Sequence, residues 1–67
     1  MYKLFKFNDV VVSVIRLLDN ANIPFDPANT DYANFKTAIL EDKAQLQNAD
    51  GNTMTAEQAK DFIKELP

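Results

Sequence analysis

The stretch NADGNTMTAEQ, Asn48 to Gln58, places oxygen-bearing side chains at intervals that could hold a metal ion. With Gly51 as the turn glycine of an EF-hand calcium loop, Asn48, Asp50 and Asn52 fall on ligand places and Glu57 on the bidentate last place. The first ligand place is then Leu46, which offers no oxygen, and the usual apolar eighth place is Thr53. A helix preceding the loop would also have to stop before Leu46. A glycine-centred turn followed by a capped helix accounts for Asp50, Gly51, Thr55 and Gln58 without an ion. No metal, cofactor or small-molecule ligand is expected.

Two other groups of residues suggest chemistry. Asp26 and Asp31 could approach each other around a helix start, and acid–base catalysis uses paired carboxylates whose pKa values are pushed apart. Turn formation and helix-end electrostatics are simpler roles for both. The chain has no His and no Cys, which removes the commonest general base, the thiol nucleophile and the commonest metal ligands. No catalytic residue is assigned, and the expectation is a protein without enzymatic activity. The strand-like YKLFKF, Tyr2 to Phe7, interleaves aromatics with Lys3 and Lys6 and could stack single-stranded bases. Core packing of the rings, with lysines guarding a sheet edge, competes with that reading.

The composition narrows the field further. Sixty-seven residues form one domain, 1–67, and a chain this short buries only about 60% of its unfolded surface. Without cysteines, oligomerisation is the remaining source of extra burial. A net charge of −3, with acids spread along the chain, argues against nucleic acid as the main partner. The longest run of consecutive large aliphatic residues is Val10–Val12, far short of a membrane span, so no membrane partner is expected. The start, MYKLFKF, lacks the long apolar stretch and small-residue cleavage site of a signal peptide, so the expected setting is cytoplasmic and not secretory.

The elements that must position these residues follow from periodicity. Tyr2–Phe7 reads as a strand and Asn8-Asp9 as a turn that lacks the favoured glycine. Val10–Leu18 fits either a helical stripe or a strand. Five of its nine residues are β-branched, which favours the strand. That strand is apolar on both faces, with Val10, Val12, Val14 and Leu18 on one and Val11, Ile15 and Leu17 on the other. Which of them looks inward is open, and the uncovered side invites a second subunit. Asp19–Asn22 reads as a turn, Ile23–Phe25 as an edge piece limited by Pro24, and Asp26–Asn29 as a β-turn. Asn29 or Thr30 caps a helix expected over 30–46, with Tyr32, Phe35, Ile39 and Leu46 on its apolar stripe. A loop around Asp50-Gly51 leads to a last helix opened by the capping box Thr55-Ala56-Glu57-Gln58, with Ala59, Phe62, Ile63 and Leu66 on one face.

The segment VIR, Val14 to Arg16, followed by IPFDPANTDYANF, Ile23 to Phe35, resembles a short stretch of small proteins and tail-associated polypeptides of tailed bacteriophages and prophages. In those, a strand ending near an arginine leads to an IPxDPxNxDY segment and then a helix. DGNTMTAEQAKDF downstream also looks phage-like, and LLDNAN departs from the pattern where a glycine-containing turn would be expected. The likeness covers about a third of the chain. It implies a viral or prophage origin, with host cytoplasm or virion as the setting, and supplies no catalytic residues.

The expected architecture is α+β: a small antiparallel β-hairpin, with room for a third short edge strand, packed against two C-terminal helices. The expected core is Leu4, Val12, Ile15, Leu17, Phe25, Tyr32, Phe35, Ile39, Leu46, Phe62 and Ile63. The expected function is that of a small phage-type interaction or structural protein. It would bind a protein partner or self-associate as a homo-oligomer through its apolar hairpin, by Tyr2, Phe5, Phe7, Val10, Val12 and Val14. The alternative is nucleic-acid binding through the aromatic and basic N-terminal strand.

Overall fold

The computed structural model describes residues 1–66. It is an α+β fold, in the order β1 (Tyr2–Phe7), β2 (Val10–Arg16), β3 (Ala21–Pro24), α1 (Thr30–Leu40), β4 (Leu46–Gln47) and α2 (Ala56–Lys64). The four strands form one sheet in the order β3-β2-β1-β4. β1, β2 and β3 pair antiparallel, and β4 adds to β1 in parallel at Tyr2 and Lys3.

The β-branched run does form a strand, which removes the helical alternative. Its hairpin closes through Asn8 and Asp9, at φ of 52° and 62°. Two left-handed residues make a type I′ turn, whose twist matches the flanking strands, and Asn and Asp tolerate that conformation better than other non-glycine residues. β3 begins at Ala21, inside the stretch expected to be turn, and ends at Pro24 on the sheet edge. Pro24 fits there because an edge position does not require its missing N–H.

A bulge decides which side of β2 is buried. Phe5 pairs with Ser13 but Lys6 pairs with Val11, so Val12 is an extra residue in β2. Simple alternation would keep Val10, Val12 and Val14 on one face. The inserted residue breaks that phase, and Val14 joins Leu4 and Ile23 in a row facing the helices. Two expectations are thereby corrected. Val14 is fully buried, so it belongs to the core and not to an interaction surface; Val12 is 43% exposed, so it is not core.

α1 starts where Asn29 Oδ1 accepts the Tyr32 N–H at 3.1 Å. It ends at Leu40, six residues earlier than expected. Beyond the cap residue Glu41, Asp42 turns left-handed at φ 58°. The Lys43 N–H then reaches the Ala38 carbonyl at 2.8 Å and the Asp42 N–H the Ile39 carbonyl at 3.2 Å. These two bonds make a Schellman motif without glycine. Leu46 is thus freed from the helix and enters the core from β4 instead. α2 carries the expected capping box, with Thr55 Oγ1 accepting from Gln58 N and Gln58 Oε1 from Thr55 N, both at 3.1 Å.

Both helices lie on the same side of the sheet. Tyr32, Phe35 and Ile39 of α1, Ala59 and Ile63 of α2, and Leu46 close over Leu4, Val14 and Ile23. Tyr2 sits edge-on to Phe35 at 4.9 Å, and Phe25 bridges Tyr32 and Phe62. Ile15, Leu17, Phe25 and Phe62, expected in the core, are half-buried at its margin or beyond it. Among the described residues, no helix is long and apolar enough to cross a membrane.

Candidate functional site

Because the helices cover one face of the sheet, the register assigns the residues of the other. Cross-strand partners share a face and residues two apart on an unbulged strand share it too. Three rows result. Lys3 stands beside Ile15 and Asn22, Phe5 beside Ser13 and Pro24, and Phe7 beside Val10 next to the turn. None of these residues belongs to the core row of Leu4, Val14 and Ile23. Phe7 is 63% exposed, Val10 59% and Phe5 41%, with Val12 exposed at the bulge nearby. Large apolar side chains gathered in one patch often mark an interaction surface.

Of the six residues expected to form an interaction surface, Phe5, Phe7 and Val10 come together on this open face and Val12 is exposed beside them. Tyr2 and Val14 point to the helices. The register also adds Ile15 and Pro24, which the strand pattern alone did not single out. Ser13, in the middle row, is 95% shielded by its neighbours, and its Oγ has no hydrogen-bond partner among the described residues.

The hairpin also presents partly open edges. β4 covers β1 only at Tyr2 and Lys3, and β3 covers β2 only from Ser13 to Arg16. The uncovered edge of β2 contains the bulge at Val12, and that of β1 contains Lys6. Bulges and edge lysines both oppose strand addition. Lys3 and Lys6 fall on opposite faces of β1, so a single lysine accompanies Phe5 and Phe7 on the open face.

The remaining candidates serve the fold. Asp26 Oδ1 accepts the Ala28 N–H at 3.0 Å within its turn. Asp31 Oδ1 accepts from Arg16 at 3.3 Å. Arg16 also forks onto Asp19, with Nε to Oδ1 at 3.0 Å and Nη2 to Oδ2 at 2.8 Å. One guanidinium thus ties the end of β2 to its following turn and to the first turn of α1. It holds the Asp19 carboxyl below its ordinary range, helped by the Ala21 N–H, and its own pKa moves up from an already high value. The sequence signal for this clip was an arginine closing an apolar strand and an aspartate in the next helix's first turn. Burial raises the Tyr32 phenol.

In the 48–54 loop, Asn48 Oδ1 accepts the N–H groups of Asp50 and Asn52 at 3.0 and 3.1 Å. Leu46 is buried in a strand, and Glu57 is exposed in the first turn of α2. This is a strand–turn–helix, with no helix leading into the loop. Among the described residues there is no cluster of three His, Cys, Asp or Glu side chains able to share an ion. A cleft of about 290 Å³ lies between the two helices, lined by Ile39, Leu46, Met54 and Ala59, with Asp42 the one titratable group among the described lining residues. Lys60 holds that carboxylate at 3.0 Å.

No protein-family model, no curated protein and no solved structure matches the chain.

Proposed function

We propose that this protein is a small non-enzymatic interaction or structural protein of phage type, working in the host cytoplasm or the virion, that associates with further copies of itself through the open face of its sheet. The observation that carries this reading is the exposure of Phe5, Phe7 and Val10 together on a face that neither helix covers. Hydrophobic burial is proportional to apolar area removed from water, and a domain this small has little core to spare. The phage attribution rests on VIR and IPFDPANTDYANF, whose arginine and first-turn aspartate meet as Arg16 and Asp31.

Sedimentation over a wide concentration range tests the reading. Wild type should shift toward a dimer or higher assembly, while Phe7→Ser should stay monomeric with an unchanged fold. A wild type that stays monomeric near millimolar concentration would sink it. Salt-dependent oligonucleotide binding, lost in Lys3→Gln with Lys6→Gln, would favour nucleic acid instead. The separation of those lysines onto two faces argues against that outcome.

A further inference from the structure

The open face is polar along its strands. Lys3 marks one end, in the row with Ile15 and Asn22, and Asp9 marks the other, in the turn after Phe7. Lys3 and Phe7 are separated by about 13 Å of strand. Among the described residues neither Lys3 nor Asp9 takes part in an ion pair. Arg16 pairs with Asp19 and Asp31, Lys43 with Glu41, and Lys60 with Asp42. The charges near the face therefore form two unmatched, opposite ends.

We propose that a second copy packs face to face across this surface, its hairpin antiparallel to the first, about a two-fold axis in the plane of the interface and perpendicular to the strands. This rests on the open face being the self-association surface. The axis brings Lys3 of each copy over Phe7 and Asp9 of the other, and Ile15 over Val10, with the two Phe5 rings meeting near the axis. Lys3 then gains a carboxylate and an aromatic face together. The other in-plane two-fold, parallel to the strands, puts Lys3 beside Lys3 and Asp9 beside Asp9, where like charges repel. A two-fold arrangement also makes the contact close on itself, so assembly stops at the dimer.

The area sets the strength. The exposed parts of Phe5, Phe7, Val10 and Val12 amount to about 350 Å² per copy, taking about 200 Å² for a whole phenylalanine. With Ile15, Pro24 and the Lys3 stem the interface totals about 1,000 Å², the small end for a specific contact. A weak, concentration-dependent dimer follows.

A double-mutant cycle by sedimentation equilibrium at low salt tests the orientation, using the full chain and Lys3→Gln, Asp9→Asn, their combination, and Phe7→Ser. Asn keeps the left-handed turn residue, and circular dichroism checks the fold of each. Each neutralisation should weaken the dimer about five-fold, since two symmetric pairs are lost at once. The combination should be weakened no more than about two-fold further, because the pair is already broken. If the two effects multiply, the antiparallel arrangement is overturned while the loss of the dimer in Phe7→Ser still upholds the surface. If wild type does not dimerise, or Phe7→Ser dimerises as well as wild type, both the surface and the orientation fall.

Discussion

Val14→Ala and Val12→Ala, two residues apart on one strand, should behave oppositely. Val14 is fully buried between Leu4 and Ile23, while Val12 is 43% exposed at the bulge. Val→Ala deletes two methyl groups, about 1.6 kcal/mol of transfer free energy when the site is buried. Val14 is fully buried in the cluster that sheet and helix residues share, so an unrelaxed cavity adds to this and the total comes to about 2–3 kcal/mol. At Val12 about half the transfer term applies and no closed cavity forms, giving less than about 1 kcal/mol. A chain of 67 residues has a total stability of about 3–10 kcal/mol, so Val14→Ala removes a large share of it. The melting temperature should fall by about 10–20 °C for Val14→Ala and by a few degrees for Val12→Ala. Urea unfolding followed by circular dichroism, at concentrations below self-association, gives the comparison, with unchanged m-values as the control. If Val12→Ala cost as much as Val14→Ala, the bulge would be misplaced, the two faces of β2 would exchange, and the open-face reading would go with them.

Three further outcomes are expected. Arg16 holds Asp19 ionised below the usual carboxylate range, so that pairing stabilises the fold above the unfolded value of about 3.9 and is lost as pH falls through the lower folded value; Arg16→Met should therefore flatten the loss of melting temperature as pH falls below about 4. Thr55→Ala removes one arm of the α2 capping box and should cost about 1 kcal/mol, read as a drop of about 4–8 °C by thermal circular dichroism. Calcium at millimolar concentration should leave both the melting temperature and the amide spectra unchanged; a rise of several degrees would mean that the 48–57 oxygens rearrange to bind it.

Local physical chemistry made much of this chain legible in its sequence. Asn29 and Thr55 cap helices because their side-chain oxygens can reach N–H groups two or three residues ahead, an interaction needing no other part of the molecule. Asp26-Pro27 turns the chain for the same local reason. The β-branched run from Val10 resists a helix through its own χ1 restriction. The apolar stripe Tyr32, Phe35 and Ile39 follows from helical spacing.

What the sequence left open depended on partners distant along the chain. Leu46 keeps the helical spacing of α1, yet Asp42 turns left-handed and β1 offers the edge that Leu46 joins. The bulge at Val12 exists only in the pairing of β2 with β1, so no pattern within β2 reveals that Val14 rather than Val12 faces the helices. Arg16 bridges fifteen residues to Asp31, a contact made only once β3 has returned the chain across the sheet. The candidate surface follows the same division. Its residues were nameable from their types, whereas their membership was settled by which face the two helices chose to cover. That choice belongs to the tertiary structure, because Ile23, Phe35, Leu46, Ala59 and Ile63 can bury their apolar area together on one side of the sheet only.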